Sequence, residues 1–309
     1  MTGPIRLALI VAATIAIYFL PLALRNYGIY ILTLWAVYVM AGMGLNLTVG
    51  YAGQISLGQA AFWGIGAYTT AIALKAGLPF LVALPMSAGL CFAVGLLLGF
   101  PALRVQHHYL AFATLGFNIL VFLALRNEDW LTGGSFGINN IPRPSILGWS
   151  FRTATDFFQL TWVALVLAAI VMALLLRSPW GRAFAALRDN PIRAESVGID
   201  TTFYTLLAFA IGAAYAGIAG AFFAPLVGFI EPAPFGLSTS LSMLLMVIAG
   251  GSGRLFGPAL GAIVVVLIPE WLRFAADWYL AIFGTMIVVM MVWLPGGLLS
   301  IPARLRGAP

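Results

Sequence analysis

The chain has 309 residues, 62% of them hydrophobic and only 8% charged, with a mean hydropathy of +1.05 and a formal net charge of +6. Soluble domains carry about 25% charged residues, so this chain cannot cover a water-facing surface, and a cytosolic enzyme, a secreted domain and a disordered protein are excluded. One cysteine, Cys91, excludes a disulfide framework, a cysteine-built zinc site and an iron–sulfur cluster.

Charge-free runs set the spans, because about 20 apolar residues are needed to cross roughly 30 Å of hydrocarbon. In chain order they predict helices over 5–24, 29–47, 60–76, 79–100, 109–125, 158–176, 202–224, 237–249, 257–275 and 278–300. Backbone groups find no partners in lipid, so each run should be helical. Stretches such as Leu96-Leu97-Leu98 and Val264-Val265-Val266 lack the alternation of a β-barrel. The run 5–24 is too long for a signal peptide and reads as a retained helix. The run 237–249 is short for a full crossing. The expected fold class is all-α: one integral membrane domain over 1–309, a polytopic bundle of about 8–10 transmembrane helices with room for broken or re-entrant ones.

Basic residues collect in cytoplasmic loops. With the N-terminus inside, Arg6, Arg104, Arg177, Arg182, Arg188, Arg193, Arg254, Arg304 and Arg306 fall inside, and Arg25, Lys75, Arg126, Arg143, Arg152 and Arg273 fall outside. After the acids are counted, the whole net charge of +6 lies inside. Both termini are therefore expected in the cytoplasm, with 126–157 as an external segment and 177–200 as the largest cytoplasmic one. The positive charge reads as membrane orientation and not as a nucleic-acid surface.

Small residues mark helix packing. Gly95-Leu-Leu-Leu-Gly99 and Gly257-Pro-Ala-Leu-Gly261 are GxxxG patterns, and Ala213 to Ala221 forms a smooth face. Such patterns let backbones approach closely in lipid, and most polytopic proteins have them. Gly50-Tyr-Ala-Gly53…Gly58 is faintly echoed by Gly250-Gly251-Ser-Gly253…Gly257, on the same side of the membrane. An internal repeat and the general abundance of glycine both fit this echo.

The missing chemistry is informative. There is no GxxxxGK[ST] loop, HExxH or GxSxG, and the adjacent His107 and His108 make a poor metal pair, so a metal site is not expected. No acid falls mid-span, where proton- and sodium-coupled carriers place theirs. A separate ATPase is the simplest energy source. A passive channel for small neutral solutes such as urea or amides also fits, whereas an intramembrane enzyme lacks its reacting groups.

Three segments could carry function. In 177–200, Pro179 and Pro191 can each start a short helix and Gly198 can end the second. Phe184, Leu187, Ile192 and Val197 are then available for an apolar groove, and Arg188 and Arg193 for acidic groups on a partner; a solvated positive loop is the alternative, and the segment's length and its mixture of apolar and charged positions favour docking. In 44–68, Asn46, Gln54, Ser56 and Gln59 stand among glycines, which suits either a broken helix beside a cavity or a glycine-rich turn with packing amides. Thr114 and Asn118 lie at i, i+4 on one helix face, suited to a pathway or to interhelical hydrogen bonds.

These residues carry a resemblance. Gly44-Leu-Asn-Leu-Thr-Val-Gly-Tyr-Ala-Gly-Gln-Ile-Ser-Leu-Gly-Gln-Ala-Ala-Phe is similar to the signature of the permeases of high-affinity branched-chain amino acid ABC importers. Tyr109 to Phe117, Leu131 to Ile138, Pro179 to Asn190 and Gly250 to Gly261 also match, in the same order, and the Leu131–Ile138 stretch resembles the M-type subunit more than the H-type. The resemblance implies a non-enzymatic subunit of a bacterial inner-membrane importer. Its partners would be an H-type permease, two cytoplasmic ATPases that bind the ATP, and a periplasmic binding protein. This chain would hold no cofactor of its own. The resemblance also implies ATPase coupling by Arg182, Arg188, Asp189, Asn190, Glu195 and Gly198, although Ala194-Glu195-Ser196-Val197-Gly198 only approximates the usual E-A-A…G pattern. The translocation pathway would draw on Asn46, Gln54, Ser56, Gln59, Thr114 and Asn118.

Overall fold

A computed structural model describes residues 3–102, 107–146, 149–271, 284–285 and 297–300. The expected helices appear in order as α1 (Gly3–Phe19), α2 (Asn26–Asn46), α3 (Gln59–Lys75), α4 (Phe80–Ala102) and α5 (His107–Asn127). A short α6 (Asp129–Thr132) and a hairpin of two-residue strands, β1 (Ser145–Ile146) against β2 (Trp149–Ser150), occupy the segment 126–157. Then come α7 (Ala154–Arg177), α8 (Pro179–Asp189), α9 (Pro191–Ser196), α10 (Thr201–Val227), α11 (Leu237–Gly250), α12 (Gly257–Ala262) and α13 (Ile268–Trp271). Five helices are long and apolar enough to cross a membrane, over 26–51, 80–100, 110–127, 154–177 and 201–227. The chain is an all-α polytopic bundle. Most of the tenth expected span, 278–300, and the end of the ninth lie outside the described residues.

Local chemistry places the helix ends. Thr153 and Asp156 form a reciprocal capping box at the start of α7. Ser178 and Asn190 cap α8 and α9, each followed by proline at the first helical position. Gly228, at φ +74, ends α10 and donates its N–H to the Ala224 carbonyl.

Helix α10 runs through the centre, against α2, α3 and α4. The approach is close because small residues face each other. An added Cβ at Gly66 would lie 2.4 Å from the Gly217 carbonyl oxygen, and one at Gly44 would lie 2.4 Å from that of Gly212. Gly95 meets Ala210 and Ala213 on α10 in the same way, as the GxxxG pattern suggested. Lipid tails are as apolar as leucine, so this contact depends on backbone packing more than on hydrophobic burial.

Two departures from regular helix position the site. Beyond Asn46, α2 widens into a π turn over Leu47–Tyr51 and the chain unwinds until Gly58. The second break precedes α11. Ile138 and Ile230 pair as an isolated antiparallel bridge, tying the segment 126–157 to the chain just after α10. From there a 3-10 turn, Ala233–Phe235, drops to the level of Gly64, where an added Cβ would lie 2.9 Å from the Phe235 ring. Helix α11 therefore begins part-way across the bundle, as its short apolar run foreshadowed, and spans 14 residues.

Candidate functional site

The six residues expected along a pathway are all buried, between 0% and 4% exposed, and all are hydrogen-bonded. Asn46 bridges the two glycine-rich turns: its Nδ2 donates to the Arg254 carbonyl at 2.9 Å, and its Oδ1 accepts from Gly253 N–H at 2.8 Å. Gln59 donates to the Ala41 carbonyl at 2.7 Å and to that of Gly212 at 3.4 Å. Thr114 Oγ1 accepts from Leu57 N–H at 2.9 Å and donates to the Ala111 carbonyl. Asn118 Nδ2 donates to the Phe235 carbonyl at 3.3 Å. Gln54 and Ser56 bond within the unwound segment, to Ala52 and Gly58. In this conformation the six form a polar seam that satisfies broken helices, and their side chains face protein instead of an open surface. Unpaired, each buried polar group would cost about 1–3 kcal/mol.

One member of the seam was not anticipated. Ser240, fully buried on α11, donates to Asn118 Oδ1 at 2.7 Å and accepts from Ala60 N–H at 2.9 Å. It joins α3, α5 and α11 through one hydroxyl. The run Leu237-Ser-Thr-Ser-Leu-Ser, unusually polar for the head of a span, was the available signal.

The segment 177–200 forms the two short helices expected of it, and Gly198 has φ +86. The expected groove is corrected. Phe184 and Leu187 are buried, and the Phe184 ring packs edge-on against Tyr204 at 6.2 Å, so they anchor α8 to α10. Only Ile192 and Val197 remain exposed, at 80% and 75%. With just three turns, α8 has one apolar stripe, and the bundle takes it.

Arg188 also faces inward in part. Its Nη1 donates to the Gly50 carbonyl at 3.1 Å, and its Nη2 pairs with Asp189 at 3.3 Å. An added Cβ at Gly253 would sit 2.7 Å from Arg188 Nη1, and one at Gly53 would sit 3.2 Å from Arg188 Cα. The two glycine turns that echo each other in sequence therefore meet, with Arg188 over the junction. Asn190 is the cap of α9, while Arg182 and Glu195 are exposed.

The family described as branched-chain amino acid transport system / permease component matches residues 27–293. The chain belongs to this family. As a permease component it is a multi-pass membrane translocation subunit and not an enzyme. This permease is 39% identical over 303 residues to the high-affinity branched-chain amino acid transport system permease protein LivM of Escherichia coli K12, covering 90% of this chain and 71% of that one. The protein of the same name from Salmonella typhimurium is 38% identical over the same coverage. A more distant relative, the autoinducer 2 import system permease protein LsrC of Escherichia coli DH10B, is 26% identical over 91% of this chain and 84% of its own. No solved structure matches the chain.

Proposed function

We propose that this permease forms the translocation pathway of an ATP-driven importer for branched-chain, aliphatic amino acids in a bacterial inner membrane. Its partners are an H-type permease, two cytoplasmic ATPases and a periplasmic binding protein, and both of its termini face the cytoplasm. The 38–39% identity to the LivM proteins, against 26% to the LsrC permease, supports this substrate class. The external segment 126–157 receives the binding protein, and 177–200 receives the ATPase.

The single observation that carries the coupling role is the Arg188–Gly50 contact. It links the segment that would meet the ATPase to the unwound end of α2. A partner shifts a conformational equilibrium only through unequal contacts with its two states. An ATPase that moves α8 and α9 thereby acts on Gly50, and through the Asn46 bridge on Gly253. Glu195, Arg182 and Gly198 stay at the docking face, whereas Arg188, Asp189 and Asn190 hold its shape.

Co-purification of the tagged chain from its native membrane tests the assembly. Two ATPases and a second permease should accompany it. Isolation of the chain alone across several mild detergents would contradict the proposal.

A further inference from the structure

Helix α3 carries two buried donors that the bundle leaves unsatisfied. Trp63 Nε1 and Tyr68 Oη have no hydrogen-bond partner among the described residues, and the two residues are 1% and 3% exposed. Folded proteins leave few buried polar groups unpaired, because each one is destabilising. A second observation joins the two donors. Both rings pack against one side chain, Phe235, with ring centroids 5.3 Å and 5.8 Å from it. Phe235 is itself fully buried, and Phe223 on α10 closes the cluster at 5.9 Å. Tyr68 lies near the middle of the 17-residue α3, so the Phe235 ring reaches mid-membrane depth.

The segment that delivers Phe235 is a stiff piece between two glycines. It reads Gly228-Phe-Ile-Glu-Pro-Ala-Pro-Phe-Gly236, and Pro232 and Pro234 each fix a φ angle. Gly228 has φ +74 and nothing within 4 Å of an added Cβ, and Gly236 has only ordinary contacts, at 3.5 Å and beyond. Few bonds hold the piece down. At one end Ile138 and Ile230 exchange two backbone hydrogen bonds, at 2.9 Å and 3.1 Å, and Ile141 N–H donates to the Gly228 carbonyl at 3.0 Å. At the other end the Asn118 amide donates to the Phe235 carbonyl at 3.3 Å. A segment tied down by so few bonds is of the kind that opens locally without unfolding the rest.

We propose that Trp63 and Tyr68 line the translocation pathway of the permease, and that Phe235 is the plug that closes it in this conformation. Lifting 229–235 about its two glycines requires the Ile138–Ile230 bridge to part, and it uncovers both donors to the solute. Trp63 Nε1 can only donate, so the group it receives is an acceptor, and the carboxylate of an aliphatic amino acid supplies one. The Trp63 and Phe223 rings, with centroids 4.3 Å apart, give the side chain of that amino acid an apolar wall. This assignment deepens the importer reading above and rests on it.

The test measures uptake of radiolabelled leucine by the complete importer, with binding protein and ATPases, reconstituted in vesicles. Tyr68→Phe deletes the hydroxyl and keeps the ring. Removing an unpaired buried group should leave the melting temperature of the chain equal or higher. Uptake should nevertheless fall about 10-fold, because the lost group bonds to the solute. Parental uptake overturns the pathway contact. So does a melting temperature that drops along with uptake, since the hydroxyl is then structural. The plug is tested separately with the double variant Ile138→Cys and Ile230→Cys. Residues that exchange both backbone bonds in an antiparallel pair have Cα atoms about 5.5 Å apart, within the range a disulfide spans. Cys91, the one native thiol, is fully buried and does not compete. Oxidation with copper phenanthroline, verified by mass spectrometry, should cut uptake at least ~10-fold by holding the plug in place, and dithiothreitol should restore it. Equal uptake before and after a verified cross-link overturns the plug. Absence of ATP-dependent leucine uptake by the parent complex overturns the importer reading instead.

Discussion

Arg188 and Gly50 stand 138 positions apart in the sequence, and the Arg188 guanidinium donates to the Gly50 carbonyl at 3.1 Å. The contact is favourable for a local reason. The end of α2 leaves carbonyls without helical partners, and a cation there also meets the negative end of the helix dipole. It matters for coupling because Gly50 packs on Gly253, and Asn46 holds Gly253 N–H and the Arg254 carbonyl from the last turn of α2. One guanidinium on α8 thereby reaches both the unwound end of α2 and the glycine turn that follows α11.

Arg188→Ala is predicted to separate ATP turnover from transport. The side chain is 43% exposed, so its loss costs about 0.3–1 kcal/mol of stability, too little to unfold the bundle. Uptake by the reconstituted complex should fall roughly tenfold while ATP turnover persists. Uptake and ATP turnover that decline in proportion would show that the contact is not a coupling element.

Asn46→Leu removes both bonds between the glycine turns. The abandoned Gly253 N–H and Arg254 carbonyl should cost about 1–3 kcal/mol, read as a lower melting temperature of the purified chain. Faster amide exchange at Gly253 should accompany it. A variant with parental melting and exchange would contradict the bridging role.

The helix contacts predict a contrast among glycines. Gly66→Ala and Gly217→Ala press a methyl into neighbouring atoms less than 3 Å away, with an expected loss of about 1–3 kcal/mol. Gly89→Ala, on α4 with nothing within 4 Å of its Cβ, should be neutral or stabilising by up to ~1 kcal/mol. Thermal melts of the three side by side decide it, and a common response from all three would argue against close packing on α10.

The exposed and buried apolar residues of 177–200 should respond differently. Ile192→Asp and Val197→Asp are predicted to leave the chain folded and to release the ATPases during purification. Phe184→Ala, by contrast, should destabilise the chain itself by about 3–5 kcal/mol. Full retention of ATPase by both aspartate variants would move the docking face away from α9.

Much of this architecture was legible because lipid tolerates few alternatives. Charge-free runs located α2, α4, α5, α7 and α10 to within a few residues, and Pro179, Pro191 and Gly198 marked the limits of α8 and α9. The direction in which short helices face was not legible. Phe184 and Ile192 look alike in sequence, yet α10 covers one and leaves the other exposed. Pairings between distant helices were equally hidden: the glycine echo gave no sign that Gly50 and Gly253 touch, and Asn118 gave no sign of Ser240. Sequence periodicity describes one helix at a time, whereas these bonds depend on how several cross. Polarity among glycines marks the expected pathway residues in sequence, and that same polarity suits them to closing breaks in helices, the role they have in this conformation.

The most direct test of the central claim is leucine uptake by vesicles holding this permease with its H-type partner, the two ATPases and the binding protein, with and without ATP inside the compartment where the ATPases face. Accumulation that requires both ATP and the binding protein is the predicted result. Uptake that continues unchanged without ATP, or from the permease alone, would contradict it and identify a passive pathway.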